Sequence, residues 1–205
     1  MARRSDHSKE QIREMALSAA EKIVAKDGAS GLSARKIAEK IGYTVGTLYL
    51  VFDNQDDLIL QVNARTLTEL YQHLKHASEK CRQPRTCIIA IGRAYVEFAV
   101  RYPERWKLIF EHSLPRGLSV PEWFQVKVNV MFDLVEQQLL PLLATQSKRK
   151  LSQTARTLWC GVHGICVLAV TNKLEDNDIG TIQGLTDSLI HYFLSGLLQE
   201  LAGDR

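Results

Sequence analysis

Apolar residues recur at helical spacing along most of this chain, and no stretch alternates convincingly as a strand would. From Ser8 to about Lys26, Ile12, Met15, Ala16, Ala19, Ala20, Ile23 and Val24 form one i, i+3, i+4 stripe, and Gly28 ends it. A short second helix follows Ser33, whose hydroxyl suits an N-cap. Ile37 and Ile41 share its inner face with Ala38 beside them, and Gly42 stands where a helix stop wants positive φ. A third helix runs from about Thr44 to Val51, with Leu48 and Val51 three apart. Asn54 then caps a long fourth helix, and Asp56 and Asp57 suit its positive end. That helix carries Leu58, Val62, Leu67, Leu70, Tyr71 and Leu74 to about Glu79.

The pattern stays helical downstream, with helices predicted at about 85–101 and 104–112. The stretch 113–121 is the clearest loop. A seventh helix runs to about Thr145, where Pro141 should kink or divide it. The basic stretch 146–150 reads as a solvated connection, and the last helices cover about 152–174 and 181–201. The expected fold is all-α with about nine helices. A three-helix domain spans residues 1–53 and a helical bundle spans 54–205.

Residues 31–52 fit a helix-turn-helix, two helices crossing at a wide angle through a Gly-containing turn. Ala38 lets the helices approach, and Ile37, Ile41, Tyr43, Leu48 and Val51 supply the apolar seam. The same pattern also suits a hairpin that only packs. The run Ser33–Leu58 resembles the DNA-binding domain of the TetR family of bacterial transcriptional regulators. The matching residues are Ile37, Ala38, Gly42, Gly46, Thr47, Leu48, Tyr49 and Phe52, followed by the acidic helix start at Asp56, Asp57 and Leu58.

That resemblance implies that Thr47 and Tyr49 contact phosphates while Thr44 and Val45 approach bases, with Leu50 on the same outward face. Ser33, Arg35 and Lys36, at the start of the second helix, complete the expected DNA-binding set. No Arg, Lys, Asn or Gln lies between Thr44 and Phe52. Readout should therefore lean on methyl–thymine contacts and DNA shape, with affinity from phosphates. Family members usually carry a Lys early in the fourth helix, where this chain has Gln55. Residues 2–6 read either as a frayed terminus or as an arm along DNA, in which Arg3 and Arg4 would compensate.

The segment Leu158–Ile165 carries Trp159, His163 and Gly164, and resembles a C-terminal domain found in a subset of the same family. The resemblance implies that the last two helices pair with their counterparts across a two-fold axis. The expected interface residues are Trp159, Val162, Val167, Val170, Leu185, Leu189, Tyr192, Phe193 and Gly196. Gly161 and Gly164, costly inside a helix, suggest close helix–helix approach. The resemblance also implies an apolar cavity for a small effector, with Tyr95, Phe98, Trp106, Phe110, Trp123, Met131 and His163 as candidate lining. Core packing is the alternative for these aromatics, and a core or interface role is the alternative for His163.

Composition narrows the function. The chain has 205 residues, 45% of them apolar, enough for a sizeable core. No apolar run approaches the ~18 residues needed to span a bilayer, and the first residues lack a signal-peptide core, so a cytoplasmic location and no membrane partner are expected. Net charge is +3, and nine basic against six acidic residues precede Phe52. Cys81 and Cys87, like Cys160 and Cys166, are six apart, off the spacing at which helical side chains meet. All four read mainly as small buried residues of a reduced protein, with metal or redox use as the alternative. No nucleophile motif or phosphate-binding glycine loop is present, and Cys160 with His163 lacks an orienting group. An enzyme, a cofactor and a metal are therefore not expected. The reading is a homodimeric regulator, a ligand-responsive repressor of a palindromic operator, with double-stranded DNA and a small apolar or amphipathic effector as partners. The alternative is an architectural or protein-interaction factor using the same DNA domain without a ligand.

Overall fold

A computed structural model describes residues 7–143 and 146–203. Among the described residues there are nine helices and no strand. They are α1 (Lys9–Gly31), α2 (Ala34–Ile41), α3 (Val45–Leu48), α4 (Gln55–Glu79), α5 (Pro84–Arg101), α6 (Pro103–Glu111), α7 (Glu122–Leu139), α8 (Lys148–Val170) and α9 (Ile179–Gly203). None is long and apolar enough to cross a membrane. The chain forms two compact units, Met1–Leu67 with Tyr102–Phe124, and Thr68–Arg101 with Gln125–Arg205. This division by packing differs from the expected boundary at 53/54 because α6 returns to α1 and joins the first unit.

In the first unit, Ser8 and Gln11 form a reciprocal capping box on α1: the Ser8 hydroxyl accepts from Gln11 N at 3.2 Å, and Ser8 N donates to Gln11 Oε1 at 2.7 Å. The regular helix ends at Gly28, as expected, where φ 69° and ψ −171° are non-helical, and a further helical turn carries α1 to Gly31. Its stripe, with Ala16, Ala20 and Val24 fully buried, packs with Ile37, Ala38, Leu48, Phe52 and Leu58 in one core. Burying a side chain such as Leu48 contributes about 1.5–3 kcal/mol, so this core holds the short helices that propensity alone would not. Asn63, 1% exposed, donates from Nδ2 to the Leu108 carbonyl at 3.2 Å and ties α4 to α6 within the unit.

In the second unit α5 packs against both α8 and α9. Ile88, Val96 and Phe98 are buried on α5, Cys166 on α8, and Ile182, Ile190 and Leu194 on α9. Thr186 is buried as well, and its hydroxyl donates to the Ile182 carbonyl at 2.9 Å, which removes the cost of an unpaired polar group. At Gly161 an added Cβ would lie 2.8 Å from Leu189 Cδ2, so the glycine permits the close approach of α8 and α9.

Helix α7 ends at Leu139, two residues before Pro141, in line with the expected break at that proline, which cannot donate to the preceding turn; Thr145 lies outside the described residues. Helix α8 begins at Lys148, with the Ser147 hydroxyl accepting from Lys150 N at 3.2 Å, so residues 148–150 of the expected connection are helical. The cysteines also differ. Cys81 and Cys87 are joined in a disulfide with Cα atoms 5.3 Å apart, and Cys160 is exposed. The spacing argument failed because Cys81 precedes α5 and is not on it. Cys166 is buried, and burial pushes its thiol up to about 12.

Candidate nucleic-acid interface

The helix-turn-helix is built by two caps and one left-handed residue. The Ser33 hydroxyl accepts from Lys36 N at 3.3 Å and starts α2. Gly42 ends it in the αL conformation, φ 76°, and the Tyr43 amide donates back to the Ala38 carbonyl at 2.9 Å. This closure satisfies orphan carbonyls and reverses the chain without a long loop. Thr44 then caps α3: its hydroxyl accepts from Thr47 N at 3.3 Å and lies 3.1 Å from the Thr47 hydroxyl. One of these two hydroxyls donates to the other, which leaves the second free to donate outward.

The expected third helix is shorter than the sequence indicated, Val45–Leu48 and not 44–51, because Tyr49–Val51 continue as a turn. Leu48, Val51 and Phe52 are buried, whereas Tyr49 is 43% and Leu50 53% exposed. Thr44 is exposed and Thr47 half-buried beside them. Val45 is half-buried and packs on the head's own core, which limits the base contact expected of it. The outward edge therefore comprises Thr44, Thr47, Tyr49 and Leu50, a methyl- and hydroxyl-bearing surface.

Arg35, Lys36 and Lys40 are exposed on α2. Two other cations of the first unit are engaged internally. Arg13 donates to Gln61 at 3.0 Å and stacks over Phe52, and Arg65 pairs with Glu14 at 2.5 Å and Glu21 at 3.3 Å. The Arg65 hydrogen bond holds the Glu14 carboxyl below its ordinary range. Gln55 is exposed at the start of α4, where Asn54 Oδ1 accepts from Asp57 N at 2.9 Å. Arg3 and Arg4 lie outside the described residues. His7, where the described chain begins, lies 2.7 Å from the Tyr43 hydroxyl, a link that pattern reading missed because it spans 36 positions.

The seven expected pocket residues are divided between the two units, and each group is described within its own unit. Trp106, Phe110 and Trp123 belong to the first unit, with the Trp106 and Phe110 rings tilted against each other at 4.9 Å and both Phe110 and Trp123 over 40% exposed. Tyr95, Phe98, Met131 and His163 belong to the second. There the Tyr95 hydroxyl lies 3.0 Å from His163 Nδ1, and the His163 ring lies tilted against Trp159 with centroids 4.8 Å apart. Trp159 in turn meets Phe132 edge-on at 5.7 Å, a residue absent from the expected set. Burial pushes the His163 pKa down, so its ring is neutral at neutral pH.

Of the expected interface residues, Val162 is buried within its own chain at 4% exposure, since it falls on the inward stripe of α8. Trp159, Val170, Leu189 and Phe193 are half-buried. Val167, Leu185, Tyr192 and Gly196 face outward, Tyr192 at 73% exposure. Leu168 and Gly184, outside the expected set, are also exposed. Leu168 lies four residues after exposed Gly164, a second stripe offset from the buried one.

Residues 16–62 match the family model described as bacterial regulatory proteins, tetR family, and residues 88–192 match the tetracyclin repressor-like C-terminal domain. The HTH-type transcriptional regulator Rv1816 of Mycobacterium tuberculosis is 27% identical over 121 residues, a stretch covering 56% of this chain and 50% of the relative's length. A protein of unknown function from Rhodococcus sp. RHA1 has a similar fold, with TM-score 0.76 and 22% identity over 95% of this chain and 98% of that one. The transcriptional regulator FadR from Bacillus subtilis, solved in complex with stearoyl-CoA, gives a TM-score of 0.66 at 13% identity, covering 89% of this chain and 98% of that one.

Proposed function

Since the chain belongs to the TetR family of DNA-binding transcriptional regulators, we propose that it is a ligand-responsive repressor that binds a palindromic operator as a homodimer in the cytoplasm. The observation that carries the reading is the outward edge of Thr44, half-buried Thr47, Tyr49 and Leu50, together with the exposed cations Arg35 and Lys36 on α2. The hydroxyls and cations suit phosphate contact, and the threonine methyls and Leu50 suit thymine methyl groups. Two such heads, ~34–36 Å apart or somewhat more, would enter successive major grooves. The outward stripes of α8 and α9, including Val167, Leu168, Leu185 and Tyr192, support pairing of two copies.

The proposed effector is small and apolar or amphipathic. Support comes from the cluster of Tyr95, His163, Trp159 and Phe132, which offers aromatic faces and few polar groups. An amphipathic molecule, stearoyl-CoA, occupies the B. subtilis structure of similar fold. Helix α4 belongs in part to each unit, so its shift on effector binding would change how the heads meet DNA. Linkage then requires operator DNA to weaken effector binding by the same factor. Selection of bound duplexes from a random pool tests the reading. An enriched palindrome is the expected result, and recovery without any enriched sequence would overturn specific operator binding.

A further inference from the structure

We propose that Cys81 and Cys87 form a reversible thiol–disulfide site, exchanging with low-molecular-weight thiols and disulfides, whose state tunes DNA binding through α4. The second half of this inference rests on the regulator reading; the first half stands on the bridge itself. Cys81 lies just beyond the end of α4 at Glu79, and Cys87 is the fourth residue of α5, which opens at Pro84. Their Cα atoms are 5.3 Å apart and the bond is formed. It ties the connection that follows α4 to the first turn of α5, across only six positions.

Three features distinguish this bridge from a structural staple. A protein that binds DNA works among reducing thiol pools, where disulfides are rare and those that occur are mostly transient or redox-sensing. A loop this short restricts the unfolded chain less than a long one, so stabilisation is a weak reason for the bond. The two sulfurs also differ in access: Cys81 is half-buried, whereas Cys87 is 3% exposed. In sequence, Lys80, Arg82 and Arg85 outnumber Glu79 around Cys81, a net positive stretch that favours thiolate chemistry.

The exchange balances as follows. In the dithiol form the Cys81 thiolate attacks one sulfur of a small disulfide RSSR, forming a mixed disulfide and releasing RS⁻. Cys87, giving its proton to solvent, then attacks Cys81 Sγ and expels the second RS⁻. Two protein thiols are oxidised, RSSR is reduced to two RSH, and no other oxidant is needed. Opening is the reverse. The closed bridge fixes the exit of α4, and the open form releases it.

The test equilibrates the full chain in glutathione buffers from reducing to oxidising, maps thiols by peptide mass and measures affinity for the duplex enriched by selection. The Cys81–Cys87 peptide pair should lose two hydrogens in oxidising buffer and regain them on reduction. Affinity should shift by about fivefold or more between the two states, and C81S should abolish the shift while keeping the fold. Cys81 is the residue to change because burial makes Cys87→Ser a folding risk. A bridge that stays closed in reducing glutathione, or never closes, would overturn the site. A bridge that cycles with unchanged affinity would overturn its link to DNA. If no duplex is enriched, the regulator reading fails separately, while thiol mapping still decides the site and amide exchange across residues 73–84 decides whether α4 responds.

Discussion

The hydroxyl of Tyr95 and Nδ1 of His163 lie 3.0 Å apart, joining α5 to α8 across 68 positions of sequence. Burial lowers the His163 pKa below its ordinary 6.5. The unfolded chain therefore binds a proton more readily than the folded one, and stability must rise with pH between the two values. Its contribution is fully present above 6.5 and lost as pH falls through the lowered value. Urea unfolding between neutral pH and about pH 5 should show a destabilisation on acidification that His163→Gln reduces. Equal pH slopes in the two proteins would contradict this account.

Gly42 makes the turn between α2 and α3 at φ 76°, with nothing within 4 Å of an added Cβ. Replacement by Ala meets no neighbour, so its whole cost is backbone conformation. Gly42→Ala should lower stability by about 1 kcal/mol, and Gly42→Asn by less, because Asn tolerates αL. Chemical denaturation checks both. A neutral Gly42→Ala would mean that the turn relaxes to negative φ.

These two sites mark how far the chain was legible. Gly42, Ser33 and the α2 stripe obey local rules, so the turn, cap and seam follow from spacing alone. The boundary of α3 did not, because Tyr49–Val51 are held as a turn by tertiary burial of Leu48, Val51 and Phe52. The Tyr95–His163 pair, the Asn63–Leu108 bond and the His7–Tyr43 contact join residues 36 or more positions apart, which periodicity cannot register. Val162 shows the remaining limit: on a helix with two apolar stripes, sequence does not say which one faces inward.

Phosphate grip is expected to come from few groups. Arg35→Ala should weaken binding to the selected duplex and lower the salt slope by about one unit, the share of a single neutralised phosphate. Tyr49→Phe should weaken binding through the missing hydroxyl. Gln55→Lys should strengthen binding and raise the slope, because it adds a cation at the exposed start of α4. Thr44→Ala should cost about 1 kcal/mol of stability through the lost cap as well as affinity, whereas Thr44→Ser should retain the cap. Titrations across a salt series separate these outcomes. Unchanged binding in both Arg35→Ala and Tyr49→Phe would remove this edge as the DNA-binding surface.

Self-association is expected through the outward stripes of α8 and α9. Leu168 is 42% and Tyr192 73% exposed, and Gly164, Gly184 and Gly196 have open space where a side chain would stand. Large apolar groups beside small residues leave a face on which a second copy's helices can approach closely. An aromatic anchor buried at the centre of such an interface typically costs about 2 kcal/mol or more when truncated. Leu168→Glu and Tyr192→Glu should therefore shift the protein toward monomer in sedimentation, with little loss of helical signal. Both should also weaken binding to a full palindrome more than to a single half-site. Val162→Ala provides the contrast: at 4% exposure it should lower unfolding stability and leave association unchanged. If the two Glu variants sediment as the parent does, the pairing surface lies elsewhere.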